Sequence, residues 1–346
     1  MPQDSIYLDH AATTPLLPEA MTAIQEGWRI WANPSSPHAA GRAARAALED
    51  ARNRMKAVLG WRGEVIFTSG ASEALAIGLG RAKAERVLVS AVEHDAALRA
   101  AGGAERIPVD AGGLLDREAL TAALGGRTLV VVQQVNSETG VVQDVSGIAA
   151  QVRASGGLVL CDAAQGAGKL DLPDADMVVL SAHKFGGPVG VGALLVRDWA
   201  MLEPTGGQER GYRGGTEALP LVLGMLAALE AGSSWLKSAS GLRESLANQL
   251  LENGAEIVAA DSPRSPTVAA YRMPGKSSAA QLIRFDGAGI AVSAGSACSS
   301  GSLKASHVLT AMGYAHPAEV IRVSIGRETT EAEIARFVDV WKEIRG

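Results

Sequence analysis

Over its first two-thirds the chain alternates short, continuously apolar runs with alanine-rich helical stretches, and few folds accommodate that pattern. The runs are EVIFT (64–68), RVLVS (86–90), TLVVVQQV (128–135), GLVLC (157–161), DMVVLS (176–181) and GALLV (192–196). ASEALAIGLGRAKA and DREALTAALGG lie between them. Strands that are apolar on both faces must be covered on both faces, so the pattern predicts an α/β architecture with a mostly parallel sheet. In such sheets ligands bind beyond the carboxyl ends of the strands. The residues that follow each run are therefore the first candidates for chemistry.

Polar residues recur at those positions. After EVIFT come Ser69-Gly70-Ala71-Ser72-Glu73 and then a helix, a strand–glycine–helix junction whose N–H groups and dipole suit an anion. It matches neither a Walker A loop nor GxGxxG, so no nucleotide is implied. RVLVS is followed by Glu93 and His94, the 128–135 run by Asn136, GLVLC by Asp162 and Gln165, and DMVVLS by His183 and Lys184. Each alone is compatible with a structural role, and Asp162 and Lys184 could simply pair. Together they offer an anion site, a buried acid, an amine and an imidazole on one edge, the set required by pyridoxal phosphate: a lysine to carry it, a carboxylate for its ring nitrogen and a helix N-terminus for its phosphate.

Beyond this region GGQERGYRGGTEALP (206–220) leads into an apolar helix, and after about residue 236 shorter strands and amphipathic helices indicate a smaller α+β unit. The expected division is a large domain over 15–236 and a small one formed by 1–14 with 237–346. With a net charge of -5 and no run of Lys or Arg, bulk electrostatics give no support for a nucleic acid or an acidic membrane as partner. LPLVLGMLAALEAG is shorter than the ~20 residues of a bilayer span. The N-terminus lacks a basic segment followed by an apolar one, so no signal peptide is expected and the cytoplasm is the expected location. Of two cysteines, Cys161 ends an apolar run and reads as core. Cys298 sits in SAGSACSSGS (293–302), among glycines and serines that provide no apolar anchorage.

These segments, with YLDHAATTP, NPSSPHAAGRAAR, VIFTSGASEA, VEHDAAL, VNSETGVVQD, CDAAQGAGK, LSAHKFGGPVGVGALLVR and IRVSIGRETTEAEI, resemble the cysteine desulfurases, the NifS/IscS-like branch of the fold-type I pyridoxal phosphate enzymes. The resemblance implies a seven-stranded, mostly parallel sheet in the large domain. It implies that Lys184 carries the cofactor, that His94 stacks on its ring, that Asp162 partners the ring nitrogen and that Gln165 reaches the phenolic oxygen. Ala71, Ser72, Ser181 and His183 fall on phosphate-binding positions, and Thr216 on one that reaches the neighbouring subunit's phosphate, which implies a homodimer. Arg322 matches the clamp for the substrate carboxylate, assisted by Asn136, and Cys298 the thiol that accepts sulfur as a persulfide. Catalysis is thus expected from Lys184, Cys298 and His94, with pyridoxal 5′-phosphate as cofactor, no metal, and L-cysteine converted to L-alanine. The sulfur would pass to an iron–sulfur scaffold or a thiolation enzyme.

The chain departs from the family pattern at Ser137 and Val189 and ends directly after its last helix, without the tail that helps many members dock a scaffold. The rival expectations are a related aminotransferase, selenocysteine lyase or β-lyase in which Cys298 is incidental, and a non-catalytic scaffold of the same fold.

Overall fold

The computed structural model describes residues 5–295 and 305–346. Cys298 and the greater part of SAGSACSSGS lie outside the described residues. Twelve strands occur among the described residues: β1 (Ile6–Tyr7), β2 (Glu64–Thr68), β3 (Arg86–Ser90), β4 (Glu105–Ile107), β5 (Thr128–Gln133), β6 (Leu158–Asp162), β7 (Met177–Ser181), β8 (Gly192–Val196), β9 (Glu256–Ile257), β10 (Val268–Arg272), β11 (Ile290–Ala291) and β12 (Val320–Ser324).

Seven of them form the central sheet, in the order β2-β8-β7-β6-β5-β3-β4. The pairs from β7 to β4 are parallel, whereas β8 runs antiparallel to both β2 and β7. Strands β5, β6, β7 and β8 are buried along their whole length, which is why their sequences do not alternate. Helices cover both faces. The long helix Ala39–Val58 turns Ala44, Leu48, Ala51 and Met55 inward at three- and four-residue spacing, into one core with Val130, Val132, Val178 and Leu180. Helix Ala71–Arg81 packs the opposite face, with Ile66, Leu129, Val131 and Leu160.

A second core gathers residues 239–344 and Leu8. Its antiparallel sheet has the order β12-β10-β9, while β1 pairs in parallel with β11. The N-terminal strand is thereby stitched to the C-terminal third of the chain. The terminal helix Glu331–Arg345 starts at a capping box between Thr330 and Glu333 and buries Ile334, Phe337, Val338, Trp341 and Ile344. Phe337 stacks on Phe285 at 4.6 Å between ring centroids. No helix among the described residues is long and apolar enough to cross a membrane.

Because β2, β3, β5, β6 and β7 all point the same way, their carboxyl ends emerge on one edge of the sheet. Antiparallel β8 begins on that edge, with Gly192 in register with Ser181 on one side and Thr68 on the other. A Cβ at Gly192 would come within 2.7 Å of Gly70 Cα, so glycine is required for the turn after β2 to lie this close. Gly70 itself has φ 150°, and it is the N-cap of helix Ala71–Arg81.

Candidate active site

A cavity of about 490 Å³ opens above this edge. Ala71, Ser72, His94, Asn136, Asp162, Gln165, Ser181, His183, Lys184 and Arg322 all line it. Thr216 does not: it is exposed on the Gly-rich stretch that precedes helix Leu219–Glu230.

Lys184 ends a single turn of 3-10 helix, Ala182–Lys184, that follows β7 directly. Its Nζ donates to the carbonyls of Ala11 and Ala12, each at 2.8 Å. Thr14 closes the same contact from the other side, its backbone N–H on the His183 carbonyl and its hydroxyl on that of Lys184. The YLDHAATTP segment is therefore a wall of the site. His183 Nδ1 lies 3.1 Å from the Thr13 hydroxyl. Burial and the neighbouring Lys184 and Lys169 bring the His183 pKa down to about 4, so the ring is neutral at physiological pH.

Asp162 closes β6 and is 7% exposed. Burial raises its pKa, against the Ala164 N–H that it accepts at 2.9 Å and the charges of His94 and Lys184. Gln165 donates its Nε2 to the Ala11 carbonyl at 2.7 Å and leaves its buried Oε1 without a partner. His94 caps helix Asp95–Ala100, with Nδ1 accepting the Ala96 N–H at 3.1 Å. That contact makes the neutral ring the tautomer protonated on Nε2. Beside it, Glu93 is wholly buried: Oε1 accepts the Gln133 N–H at 2.7 Å and Oε2 has no partner. Burial, followed by the nearby Asp162, pushes the Glu93 carboxyl well up from the usual carboxylate range.

The Asn136 amide is largely committed to its own turn. Nδ2 donates to the Val92 carbonyl, and Oδ1 accepts from Glu138 N, Thr139 N and the Thr139 hydroxyl. The helix that begins at Ala71 has no side-chain cap, which leaves its first-turn N–H groups to a ligand or to water. Arg322 comes from β12, across the cavity from the sheet, and is 5% exposed. Its Nη2 contacts Asp9 Oδ1 at 2.6 Å and its Nη1 donates to the Ser137 carbonyl at 3.0 Å. Ser137, one of the departures from the family pattern, thus serves through its backbone, where side-chain identity matters little.

Asp9, Ser293 and the Ala11 and Ala12 carbonyls are the parts of this arrangement that strand-end reasoning missed. Asp9 is preceded by only the two-residue strand β1, too short to stand out as an apolar run, and its partner is 313 positions away. Cys161 is fully buried in β6, and burial pushes its thiol pKa well up, as suits a core residue.

Residues 6–337 match the family model for Aminotransferase class-V. A cysteine desulfurase of Cereibacter sphaeroides is 37% identical, over 97% of this chain and 95% of its own length. One from Bradyrhizobium diazoefficiens is 39% identical, over 96% and 92%. Among solved structures, a NifS-like protein from Rickettsia africae ESF-5 superposes with a TM-score of 0.90 at 29% identity, covering 98% of this chain and 99% of that one.

Proposed function

Since the chain belongs to the Aminotransferase class-V family and, within it, to the pyridoxal-phosphate-dependent cysteine desulfurases, we propose that the cavity above the sheet edge converts L-cysteine to L-alanine and passes the sulfur to Cys298. One observation carries this reading: an amine, a buried acid, an imidazole of fixed tautomer, an uncapped helix N-terminus and a guanidinium meet in one cavity, from five elements far apart in sequence.

The residues fit pyridoxal 5′-phosphate. The uncapped helix at Ala71 and the close turn formed by Gly70 and Gly192 make an anion cradle, and the orphaned Oε1 of Gln165 faces a need that no protein group meets. When bound, the cofactor supplies an electron-withdrawing ring that spreads negative charge from the substrate's α-carbon. Lys184 would carry it covalently, and Asp162 would hold positive charge at its ring nitrogen. Ala71, Ser72, Ser181 and His183 would hold its phosphate. His183, being neutral, acts there as a hydrogen-bonding group. Thr216 would complete the phosphate site of a second subunit in a homodimer. Its exposed position away from the chain's own cavity supports that assignment.

Arg322 receives the substrate carboxylate, with the remaining Asn136 amide hydrogen beside it. Lys184 Nζ, freed once the substrate amine takes its place, is the base that takes the α-proton, and the Ala11 and Ala12 carbonyls, each at 2.8 Å, orient the free amine. His94 Nε2 is the position that exchanges a proton with the substrate thiol, because Nδ1 is occupied by Ala96 N–H. The Cys298 thiolate attacks the substrate sulfur. An S–S bond forms, the Cβ–S bond breaks, and its electron pair is protonated at Cβ to give alanine. The sulfur then leaves for an acceptor protein, an iron–sulfur scaffold or a thiolation enzyme, in the cytoplasm. The cores on the two faces of the central sheet draw on residues 17–229, and the second core on Leu8 with residues from 239 onward. This supports a division into 15–236 and 1–14 with 237–346, joined by a small cluster around Val92 and Val258.

The direct test is alanine and sulfide release from L-cysteine by the holoenzyme, with and without dithiothreitol. Multiple turnovers with the reductant, and about one alanine per chain without it, are expected. Undiminished turnover by Cys298→Ala would assign the chemistry to a lyase instead.

A further inference from the structure

Arg322 is not idle before a substrate arrives. Its Nη2 meets Asp9 Oδ1 at 2.6 Å and its Nη1 the Ser137 carbonyl at 3.0 Å, while its buried Nε has no partner. A guanidinium has five N–H donors. With one on Asp9 and one on Ser137, the Nε–H and one hydrogen on each terminal nitrogen remain for a ligand. Asp9 is in turn held by the Ser293 hydroxyl, which donates to Oδ2 at 2.9 Å. The backbones of Ser293 and Arg322 are bonded in both directions, and Asp9 bridges to Ser324 on the same strand as Arg322. Arg322 lines the cavity and Asp9 does not, so a ligand meets the guanidinium with the carboxylate behind it.

We propose that Asp9 is a positioning and selectivity residue: it fixes the Arg322 guanidinium and cancels its charge, so the site takes amino acids with one carboxylate and disfavours those with two. A bare Arg⁺ attracts any anion, and a dianionic one more strongly. Paired with Asp9 it is close to neutral, and one ligand carboxylate already makes the cluster negative. A second carboxylate then meets Asp9 and, in the lining of the cavity, Glu138, since Asp162 is already engaged with the ring nitrogen in the loaded enzyme. This rests on Arg322 being the carboxylate clamp, and the test separates the two ideas.

The experiment is titration of the holoenzymes with L-alanine and L-aspartate, neither of which can be desulfurated, followed by cofactor absorbance. Wild type, Asp9→Asn, Asp9→Glu, Ser293→Ala and Arg322→Ala are compared, with steady-state kinetics on L-cysteine alongside. Asn keeps the shape of Asp9 without its charge: its oxygen can still accept from Arg322, while its amide nitrogen would donate to the Ser293 hydroxyl oxygen instead of accepting from it. Asp9→Asn is expected to improve aspartate binding relative to alanine by about tenfold, the scale of one close charge–charge contact in a partly buried site. Asp9→Glu retains the charge and should retain the wild-type ratio. Ser293→Ala frees Asp9 without altering charge. It should raise KM for cysteine several-fold, leave kcat within about twofold and keep the ratio, which makes it the decisive arm if Asp9→Asn fails to fold. An unchanged ratio in Asp9→Asn, or unchanged KM in Ser293→Ala, with both amino acids lost in Arg322→Ala, overturns the inference and leaves the clamp standing. Unchanged binding in Arg322→Ala overturns the clamp itself.

Discussion

Asp162→Asn should make the cofactor-free protein more stable and the loaded enzyme far less active. Asp162 is 7% exposed, and of the donors that could support its charge, one is a backbone N–H at 2.9 Å. Removing a carboxylate from water costs several kcal/mol even after relaxation, and the Ala164 N–H with the charges of His94 and Lys184 offsets part of that. The folded-state pKa lies above the unfolded one, so protonation favours the fold. The stabilising contribution is complete below the unfolded pKa and is lost as pH rises through the folded value. Asparagine is neutral throughout and can still accept the Ala164 N–H. The cofactor-free variant should therefore melt above wild type at pH 8, by a margin on the order of 1 kcal/mol, and the two should converge near pH 4. In the loaded enzyme a neutral amide cannot hold positive charge at the ring nitrogen, and kcat should fall at least ~10²-fold. Differential scanning fluorimetry of cofactor-free protein from pH 4 to pH 8.5, with alanine release from the loaded enzyme, tests both arms. Lower melting for Asp162→Asn at pH 8 would refute the burial argument, and near-normal turnover would move the required carboxylate elsewhere.

Lys184→Ala should abolish borohydride-trappable covalent cofactor together with turnover, and a trapped label on another lysine would reassign the bond. Arg52 forms a two-point ion pair with Glu209 at 2.8 and 3.1 Å, both side chains buried, and Glu209 also accepts the Phe67 N–H. Glu209→Ala leaves that guanidinium buried and should cost about 3–5 kcal/mol, read as a lowered melting temperature. Cys161→Ser puts a hydroxyl into a fully buried strand and should cost about 1–3 kcal/mol while desulfuration stays near normal. Unchanged melting in either variant would contradict the packing seen here.

The sheet was legible because its strands are buried on both faces: the runs at 64–68, 86–90 and 192–196 coincide with β2, β3 and β8. The run at 128–135 ends as a strand at Gln133, where Gln134 begins a turn toward Asp162 and Gln143. Strand β4, Glu105–Ile107, gave no signal, because it is a three-residue edge strand with two exposed charged residues. Apolar content does not encode direction, so the reversal of β8, and with it the apposition of Gly192 and Gly70, emerges only from the assembled sheet. Strand ends located His94, Asn136, Asp162, Gln165, His183 and Lys184 in one cavity. They could not show that Asn136 spends most of its amide on its own turn, which depends on local backbone geometry, nor that Asp9 reaches Ser293 and Arg322, contacts that span 284 and 313 positions.

In the proposed reaction L-cysteine gives up its sulfur to Cys298, which lies outside the described residues, while the cavity retains the carbon skeleton. Intact and peptide mass spectrometry after brief exposure of the holoenzyme to L-cysteine without reductant, with alanine quantified in the same sample, tests it most directly. One added sulfur on the peptide that carries Cys298 is expected, with one alanine per sulfur, and neither in Cys298→Ser. Sulfur found on Cys161, or alanine formed in Cys298→Ser at the wild-type rate, would contradict it.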